Sequence, residues 1–378
     1  MKRWTPFWKT VACALLTAVW LSPVHAAVHF AALPGRAAAR LTLTAAGALV
    51  VEDRMLNLEP GINEIRFSWE GLSISEESVR LSIPDAGDQA GIVSMSRPPG
   101  EAAMIWQVHC STPLLAAARV SYVLFRMDGL FTLRLTSDRD ETSARLERRL
   151  VLRNFSGEDF ENLSVSAGAA SVAERPVRHG ETVRTLLFTD DGVRIRKIWR
   201  YDTGKVRPRP HPETPEAGIP VYYRVTNTAE GGLGKGPVQG GKVRIYHRDG
   251  TGKTSLLGED RMETIYPGRH GEILVGESRE ISVTAAVMKR ETVNEKRNRD
   301  NRVVLHDTDE VLRFVIENFK DSPAALQIVH RIPGEWRISG ASTPYTKKDA
   351  HTVEFDLMLE PGGVKELTLE YRRLNVRP

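Results

Sequence analysis

The sequence has only two cysteines in 378 residues. Cys13 lies in an N-terminal segment with the features of a leader, so Cys110 is the single cysteine expected in the mature protein. A chain with one cysteine forms no internal disulfide, and its fold has to be stabilised by a hydrophobic core. We expect Cys110 to be a small buried side chain in a strand near Trp106 rather than a reactive thiol.

Helical periodicity is also almost absent. Apolar side chains alternate with other residues in Val221–Val225 and again in Lys242–Tyr246, a period that is typical of half-buried strands. We interpret these two segments as an antiparallel framework. Only Lys289–Arg302 leaves room for a short exposed helix. We predict an all-β protein of two or three antiparallel, sandwich-like domains, because roughly 350 residues exceed what a single core usually covers.

A long membrane-spanning run is lacking at the N-terminus. Residues 1–26 combine a basic start, an apolar run over Val11–Leu21 and a small-residue cleavage signal, Val24–Ala26. The run is shorter than the ~20 apolar residues that cross a bilayer. We therefore predict a secretory signal peptide, with an uncleaved anchor as the alternative. The mature chain would begin at Ala27, be periplasmic or extracellular, and have no transmembrane span.

Excess charge of one sign is missing once the leader is removed. The whole chain has 52 Lys and Arg against 48 Asp and Glu, and the leader holds three of the basic residues and no acidic one. This leaves 49 basic against 48 acidic residues in the mature chain. We therefore predict no nucleic-acid partner.

Composition changes along the chain suggest a domain order. Proline is concentrated in residues 205–220, where five prolines favour an extended segment over a sheet interior. The cluster Arg97–Gly100 is typical of a boundary loop. The predicted order is a signal peptide (1–26), an N-terminal β domain (27–105), a central β domain (106–204), a Pro-rich linker or crossover (205–220) and a C-terminal β-sandwich domain (221–378).

Two short patterns recur. Asn154, Asn227 and Asn318 each end an alternating segment before a turn, where an asparagine side chain can close an Asx-turn. Leu58–Gly61 and Leu359–Gly362 share the sequence Leu-Glu-Pro-Gly. These echoes favour related β-sandwich units.

The clearest predicted element is a hairpin over Val353–Tyr371 with its turn at Pro361–Gly362. Strict alternation predicts one buried face and one solvent-exposed face. The predicted buried residues are Phe355, Leu357, Leu367 and Leu369, and the predicted exposed ones are Glu354, Asp356, Glu366 and Glu370.

Catalytic and metal motifs are missing as well. Asp249–Thr254 looks like the end of a phosphate loop, but it lacks the required earlier glycine and a following helix, so we predict a hairpin turn. No Gly-x-Ser-x-Gly elbow is present. The mature histidines include no pair at four-residue spacing, and no cysteine is available to share a zinc ion. We interpret His306–Glu310 as a solvated turn, and we predict no catalytic residue, cofactor or metal.

The densest charged stretch, Lys289–Arg302, contains six basic and three acidic residues. Such a mixed run is usually a solvated loop or a short exposed helix. If the protein binds anionic polysaccharide or lipid head groups, the first candidates are Lys289, Arg290, Lys296, Arg297, Arg299 and Arg302. Candidate sugar-stacking residues, for which a buried core position is the commoner role, are Trp69, Trp106, Trp199 and Trp336.

Four segments carry a family resemblance: Asn154–Asn162, Leu233–Gly234 with Gly241–Tyr246, Leu257–Asp260 and Trp336–Ser339. Over about Val120 to Arg373, and more loosely Ala46 to Leu81, the chain resembles the mucoidy-inhibitor-A-like family of envelope proteins, whose conserved region has no assigned function. The resemblance implies an all-β exported protein without established catalytic residues. The chain departs from the family in having no coiled coil, and in having Pro237–Gly240 where Leu-Pro-Ala-Gly is usual.

We therefore expect a non-catalytic binding or scaffold component of the cell envelope, with envelope polysaccharide or protein as its partner. The alternative is a carbohydrate-active hydrolase whose two carboxylates come from separate strands, roughly 5–10 Å apart in a cleft. A third hypothesis is a module that adds a partner's strand to an exposed sheet edge, which an uncovered and uncharged edge strand would favour.

Overall fold

The computed structural model describes residues 28–31, 33, 35–36, 38–44, 47–167, 170–211 and 218–378, so the predicted signal peptide lies outside the described residues. Strands hold 69% of the residues and helix 1%, which confirms the all-β prediction. The sheets are several and mostly antiparallel. Among the described residues, no helix has the length and apolar character that a membrane crossing requires.

The first twelve strands are β1 (Val28–Ala31), β2 (Ala38–Thr44), β3 (Gly47–Leu58), β4 (Gly61–Ser68), β5 (Ile74–Ser82), β6 (Ala90–Ser96), β7 (Ala103–Cys110), β8 (Leu114–Leu124), β9 (Met127–Ser137), β10 (Ser143–Asn154), β11 (Phe160–Ala167) and β12 (Ala170–Val177). A single 3-10 turn, Gly87–Gln89, precedes β6 in this part of the chain.

The remaining strands are β13 (Thr182–Asp202), β14 (Ile219–Thr226), β15 (Gly241–Arg248), β16 (Thr254–Met262), β17 (His270–Ser278), β18 (Ile281–Arg297), β19 (Val303–Asn318), β20 (Ala324–Arg331), β21 (Glu335–Ala341), β22 (Thr346–Lys347), β23 (Thr352–Leu359) and β24 (Val364–Val376).

The chain divides into two compact units. Of the described residues, unit 1 comprises those up to Ala39 and those from Val51 to Tyr122, and unit 2 comprises those from Arg40 to Val50 and from Val123 to Pro378. In unit 1, four strands form a sheet in the order β1-β4-β7-β6. Alternation places Ile65 of β4 opposite Trp106 of β7, and both side chains are buried. The predicted boundary loop Arg97–Gly100 connects β6 to β7.

Unit 2 contains two sandwich cores. The first core collects buried residues of β9, β10, β13, β14, β15 and β17, among them Leu135, Leu146, Tyr223, Ile245 and Ile273. The second core lies between the strands β13-β20-β23 and the sheet β18-β19-β24-β21. Its fully buried residues include Phe314, Ile328, Phe355, Leu367 and Leu369.

Strand β13 belongs to both cores. Its first part pairs antiparallel with β10, its middle part Ile195–Trp199 pairs antiparallel with β14, and its last part Trp199–Asp202 pairs parallel with β20. Strand β9 likewise pairs parallel with β15. Strands that the sequence assigned to a central and a C-terminal domain are therefore hydrogen-bonded to each other.

Two predicted strand pairings are wrong. Strands β14 and β15 do not pair with each other: β14 pairs with β13 and β17, and β15 with β9 and β16. Strands β23 and β24 form no hairpin, since β23 pairs with β20 and β24 with β19. The turn Glu360–Gly363 carries the chain from one sheet of the sandwich to the other. Alternation fixes which face of a strand is buried, but not the strand beside it.

The faces of β23 and β24 are nevertheless as predicted. Phe355, Leu357, Leu367 and Leu369 are buried in the second core. Asp356, Glu366 and Glu370 are exposed, and Glu354 is half-buried beside Lys348, with the two charged groups 2.6 Å apart.

Four buried asparagines fasten strand ends to turns. The amide of Asn318 donates to the carbonyls of Ser322 (3.1 Å) and Glu360 (2.8 Å), and its Oδ1 accepts the Lys320 N–H, which is the predicted Asx-turn. Asn63, which the sequence analysis did not single out, donates to the Glu59 carbonyl at 2.7 Å.

Both Leu-Glu-Pro-Gly segments thus present their glutamate carbonyl to a buried asparagine. Asn154 makes the same kind of contact with the carbonyls of Glu158 and Val177, and Asn227 with those of Gly236 and Ile265. We call these four residues the asparagine clamps.

The structure also tests the predictions for one cysteine and two short segments. Cys110 is buried and its Sγ contacts the Thr112 carbonyl at 2.9 Å. Asp249–Thr254 is the predicted hairpin turn, in which Asp249 Oδ1 accepts the N–H groups of Thr251 and Lys253. The short helix considered for Lys289–Arg302 is wrong, since this stretch is the far end of the paired strands β18 and β19 with the turn between them.

Candidate functional site

A cavity with a volume of about 630 Å³ lies at one end of the second sandwich of unit 2. Strands β18, β19, β20 and β24 contribute Arg290, Glu310, His330 and Tyr371, and the segment after β13 contributes Thr203. Except for Arg290, these side chains lie on strands or segments that are hydrogen-bonded on both sides or anchored to β20, so their backbone positions are fixed by the sheets.

His330 is the most unusual of these residues because it is only 4% exposed. Its Nδ1 lies 2.8 Å from Thr203 Oγ1, and that oxygen also accepts the Arg331 N–H at 3.2 Å. The Thr203 hydroxyl hydrogen has Nδ1 as its acceptor, so we assign the ring proton to Nε2. Nε2 is buried and has no hydrogen-bond partner in the described structure. His330 is one of the residues that line the cavity, and in this tautomer its Nε2–H is a buried donor without a partner.

Burial lowers the pKa of His330 to about 4, although the nearby carboxylates of Glu310 and Asp202 act in the opposite direction. Removal from water disfavours the charged imidazolium more than these two carboxylates favour it. The ring is consequently neutral at pH 7, with one N–H and one acceptor nitrogen.

Glu310 is the second buried polar group, at 5% exposure. Its carboxylate accepts the Tyr371 hydroxyl at 2.9 Å and Arg290 Nη2 at 3.1 Å, and Arg373 Nη1 lies 3.7 Å away. Burial, reinforced by Glu310, raises the pKa of Tyr371, so its hydroxyl remains a donor. Glu310 therefore holds two guanidinium groups at the cavity.

A similar cluster exists in unit 1, where buried Glu52 accepts the Tyr122 hydroxyl and contacts Arg36 and Arg54. The side chains of those arginines are 21% and 14% exposed, whereas that of Arg290 is 62% exposed. A carboxylate clasped by a tyrosine and two arginines is thus a structural device in this chain. The features particular to the Glu310 cluster are the exposed guanidinium and the adjacent unpaired His330.

The cavity walls are basic and apolar. Four arginines line it, Arg207, Arg290, Arg331 and Arg373, against one carboxylate, Glu310, among the described lining residues. The apolar lining residues include half-buried Val287 and, beneath the surface, the buried Leu312 and Ile332. Walls of this kind, with a few fixed polar groups, are typical of ligand sites.

The six basic residues predicted as partner-binding are not brought together in one site. Arg290 lines the cavity, while Lys289 pairs with Glu291 and Arg297 with Glu295 on the exposed hairpin. Lys296 donates to Asn375, and Arg299 and Arg302 lie in the turn between β18 and β19. Only Arg290 is common to the predicted set and the cavity.

His306–Glu310 is not a solvated turn, because these residues lie inside β19 between β18 and β24. Asp309 forms a two-pronged contact with Arg372 at 2.6 and 2.8 Å, and Asp307 accepts Asn294 Nδ2 at 2.8 Å. Over the described residues, no group of three His, Cys, Asp or Glu side chains is arranged to hold a metal ion.

The tryptophans have structural positions. Trp69, Trp106 and Trp199 are buried. Trp336 is half-buried, its Nε1 donates to the Ala350 carbonyl at 2.7 Å, and Lys347 covers its ring at 4.4 Å. None of these four rings is therefore presented as an open stacking platform.

Sequence reasoning missed His330, although a signal for it was present. Leu326 and Ile328 share one face of β20, and His330 occupies the same face, two residues before the buried Ile332 that follows the strand. Glu310 likewise precedes Leu312 by two residues on the buried face of β19. A polar residue at an inward position of an alternating strand marks a buried polar group.

No protein-family model matches this chain, and no curated protein matches it significantly. The likeness to the mucoidy-inhibitor-A-like family consequently stays a proposal.

Proposed function

We propose that this chain is an exported, non-catalytic binding or scaffold component of the cell envelope, and that it holds its ligand in the cavity beside His330 and Glu310. The observation that carries the proposal is the unpaired Nε2 of buried His330, one of the residues that line that cavity. The leader-like residues 1–26 and the family resemblance support export and an envelope location.

An unpaired buried donor costs about 1–3 kcal/mol, so such groups are rare in native proteins. A ligand acceptor at His330 Nε2 would remove this cost on binding. The surrounding strands are paired on both sides, which keeps the donor in place before the ligand arrives. A preformed site of this kind suits binding.

The hydrolase alternative has less support. Glycoside hydrolysis of the usual kind needs two carboxyl groups facing one cleft. Glu310 is the one carboxylate among the described cavity-lining residues, and it is engaged by Tyr371 and Arg290. The site therefore lacks the second carboxylate that this mechanism requires.

The proposal is tested by filling the cavity. Val287→Trp places a large ring in the lining, and Met288→Trp adds the same ring at the exposed neighbouring position as a matched control. We expect wild type and Met288→Trp to co-sediment with envelope polysaccharide fractions, and Val287→Trp to lose this binding while melting at a similar temperature. Equal binding by both variants, or cleavage of the polysaccharide that Glu310→Gln abolishes, would contradict the proposal.

A second candidate function is strand addition at β6 of unit 1. This strand is at the end of the order β1-β4-β7-β6, its sequence Ala-Gly-Ile-Val-Ser-Met-Ser has no charge, and Gly91–Ser96 are all exposed. Exposed edges are normally blunted by charge or proline. An uncharged edge is the feature that favours docking of an extended partner segment.

Strand addition is tested with a charge on the edge. Val93→Lys introduces the usual blunting residue, and Leu115→Lys adds the same charge at an exposed position of β8, which has neighbours on both sides. We expect partner binding to protect β6 amides from hydrogen exchange in wild type and Leu115→Lys only. Protection that persists in Val93→Lys would contradict this function.

A further inference from the structure

We infer that the ligand of the His330 cavity carries an oxyanion group, a carboxylate or a phosphate, on an uncharged body. This inference rests on the proposed function and names the class of ligand. Three features of the cavity carry it: its charge, the direction of its hydrogen bonds and its size.

The charge of the cavity is positive. Its described lining has four arginines against the single carboxylate of Glu310. Glu310 compensates part of the charge of Arg290 and Arg373, and Asp202 lies 3.5 Å from Arg331. Arg207 is exposed, and among the described residues its side chain forms no hydrogen bond or ion pair. Positive charge remains for an anion.

The polar groups that are available in the cavity are donors. The Nε2–H of His330 has no partner. Arg290 uses one N–H for Glu310, and Arg373 uses its Nε for the Pro333 carbonyl at 3.3 Å, which leaves further N–H groups on both guanidiniums. A guanidinium donates through a planar fork that matches carboxylate and phosphate oxygens. The ligand therefore has to supply hydrogen-bond acceptors.

Glu310 has a positioning role in this arrangement. Its buried carboxylate positions Arg290 and Arg373 through contacts of 3.1 and 3.7 Å. Without it, two guanidiniums beside each other would repel and turn to solvent. Glu310 thus positions both arginines, but its single negative charge does not neutralise their two positive charges. The two guanidinium groups can therefore still bind an anion.

The size of the cavity indicates more than an inorganic ion. A volume of about 630 Å³ falls within the range of sites for small organic molecules, and the half-buried Val287 offers apolar contact. An acidic sugar or a sugar phosphate combines an oxyanion with an uncharged body of suitable extent.

The inference is tested by calorimetry with three probes that share one ring: glucuronate, glucose 6-phosphate and glucose. We expect at least one of the two acidic probes to bind about tenfold or more tightly than glucose, with affinity falling as salt rises. Which of them binds separates a carboxylate from a phosphate ligand. Arg207→Gln should weaken that binding about tenfold, since its exposed side chain is expendable for folding.

Arg299→Gln is the matched control, because Arg299 lies in the turn between β18 and β19 and does not line the cavity. Loss of binding in Arg299→Gln instead of Arg207→Gln would place the anion on the hairpin and overturn the inference. Glucose binding as tightly as the acidic probes would overturn it and leave the proposed function standing. If no probe binds, the inference fails, and the Val287→Trp comparison decides whether the proposed function fails with it.

Discussion

His330 shows how a single residue combines a structural cost with a site. It occupies an inward position of β20, where Ile328 and Ile332 make the neighbouring contacts of the core. One nitrogen is paired with Thr203 and the other has no partner. A hydrophobic residue would fill this position more cheaply, so the imidazole indicates a use beyond packing.

The buried imidazole should make the protein sensitive to acid. Its folded-state pKa of about 4 lies below the ordinary value of 6.5, so protonation favours the unfolded chain. This contribution is fully present above about pH 6.5 and is lost as the pH falls toward 4, by about 3 kcal/mol in total. Urea melts at pH 7.5 and 4.5 should show a loss in wild type that exceeds the loss in His330→Gln by about 2–3 kcal/mol. Identical losses in both proteins would show that His330 is not buried as a neutral ring.

Adjacent residues on β24 should differ sharply in their effect on stability. Leu367 is fully buried in the second core, and Leu367→Ala should cost about 2–5 kcal/mol through lost transfer energy and a cavity. Glu366 faces water and makes an exposed ion pair with Arg313, so Glu366→Ala should change stability by about 0.5 kcal/mol or less. The check is the difference in urea midpoint between the two variants, and equal midpoints would show the facing to be incorrect.

For single residues, the sequence predicted which apolar side chains are buried, but it did not lead us to the buried polar side chains of the site. Alternation predicted the buried face of β24 correctly, including Leu367 and Leu369. His330 and Glu310 also occupy inward positions of this alternating pattern. In the sequence analysis we considered them as possible metal ligands and did not use their inward positions. The site follows from applying the same two-residue period to polar residues.

The asparagine clamps are the characteristic elements of this chain. Each joins a strand end to a turn that is remote in sequence or belongs to the next strand, as Asn318 does with Glu360. A side chain that donates two hydrogen bonds and accepts another satisfies backbone groups that a turn leaves without partners. The sequence indicated three of the clamps through their position before turns, and the structure adds Asn63.

Removing one clamp should be costly. Asn318→Ala leaves the buried carbonyls of Ser322 and Glu360 without their donors, which should destabilise the protein by about 1–3 kcal/mol. Asn162→Ala is the matched control, because Asn162 is exposed on β11 and should contribute about 0.5 kcal/mol or less. The measurement is the free energy of unfolding of both variants from denaturant melts. An Asn318→Ala protein as stable as wild type would mean that water replaces the hydrogen bonds of the clamp.

The sequence predicted where strands lie, but it did not determine which strands pair with each other. Val353–Tyr371 has a turn with hairpin chemistry, yet its two strands belong to different sheets. Four residues between Leu359 and Val364 suffice either to fold back beside a strand or to cross a sandwich. The choice depends on β19 and β20, which offer hydrogen-bonding edges from elsewhere in the chain, and no local pattern records it.

On the scale of the whole molecule, β13 makes the two cores of unit 2 interdependent. Val275 also packs against both cores. We therefore expect Leu367→Ala, which damages the second core, to increase hydrogen exchange in β9 of the first core as well as in β24. The measurement is exchange mass spectrometry on the variant and on Glu366→Ala. Faster exchange confined to β24 would show that the cores open separately.

The parallel pairing of β13 with β20 also determines when the fold can be completed. A chain made from its N-terminus presents Trp199–Asp202 long before Leu326–Val329, its partner, has been synthesised. During that interval the end of β13 remains an open edge, and such edges invite association with other chains. Contacts this distant in sequence also form slowly. The growing chain is therefore prone to aggregation until β20 has been synthesised. Chaperones that bind exposed strand edges should raise the yield of folded protein most if they act before that point.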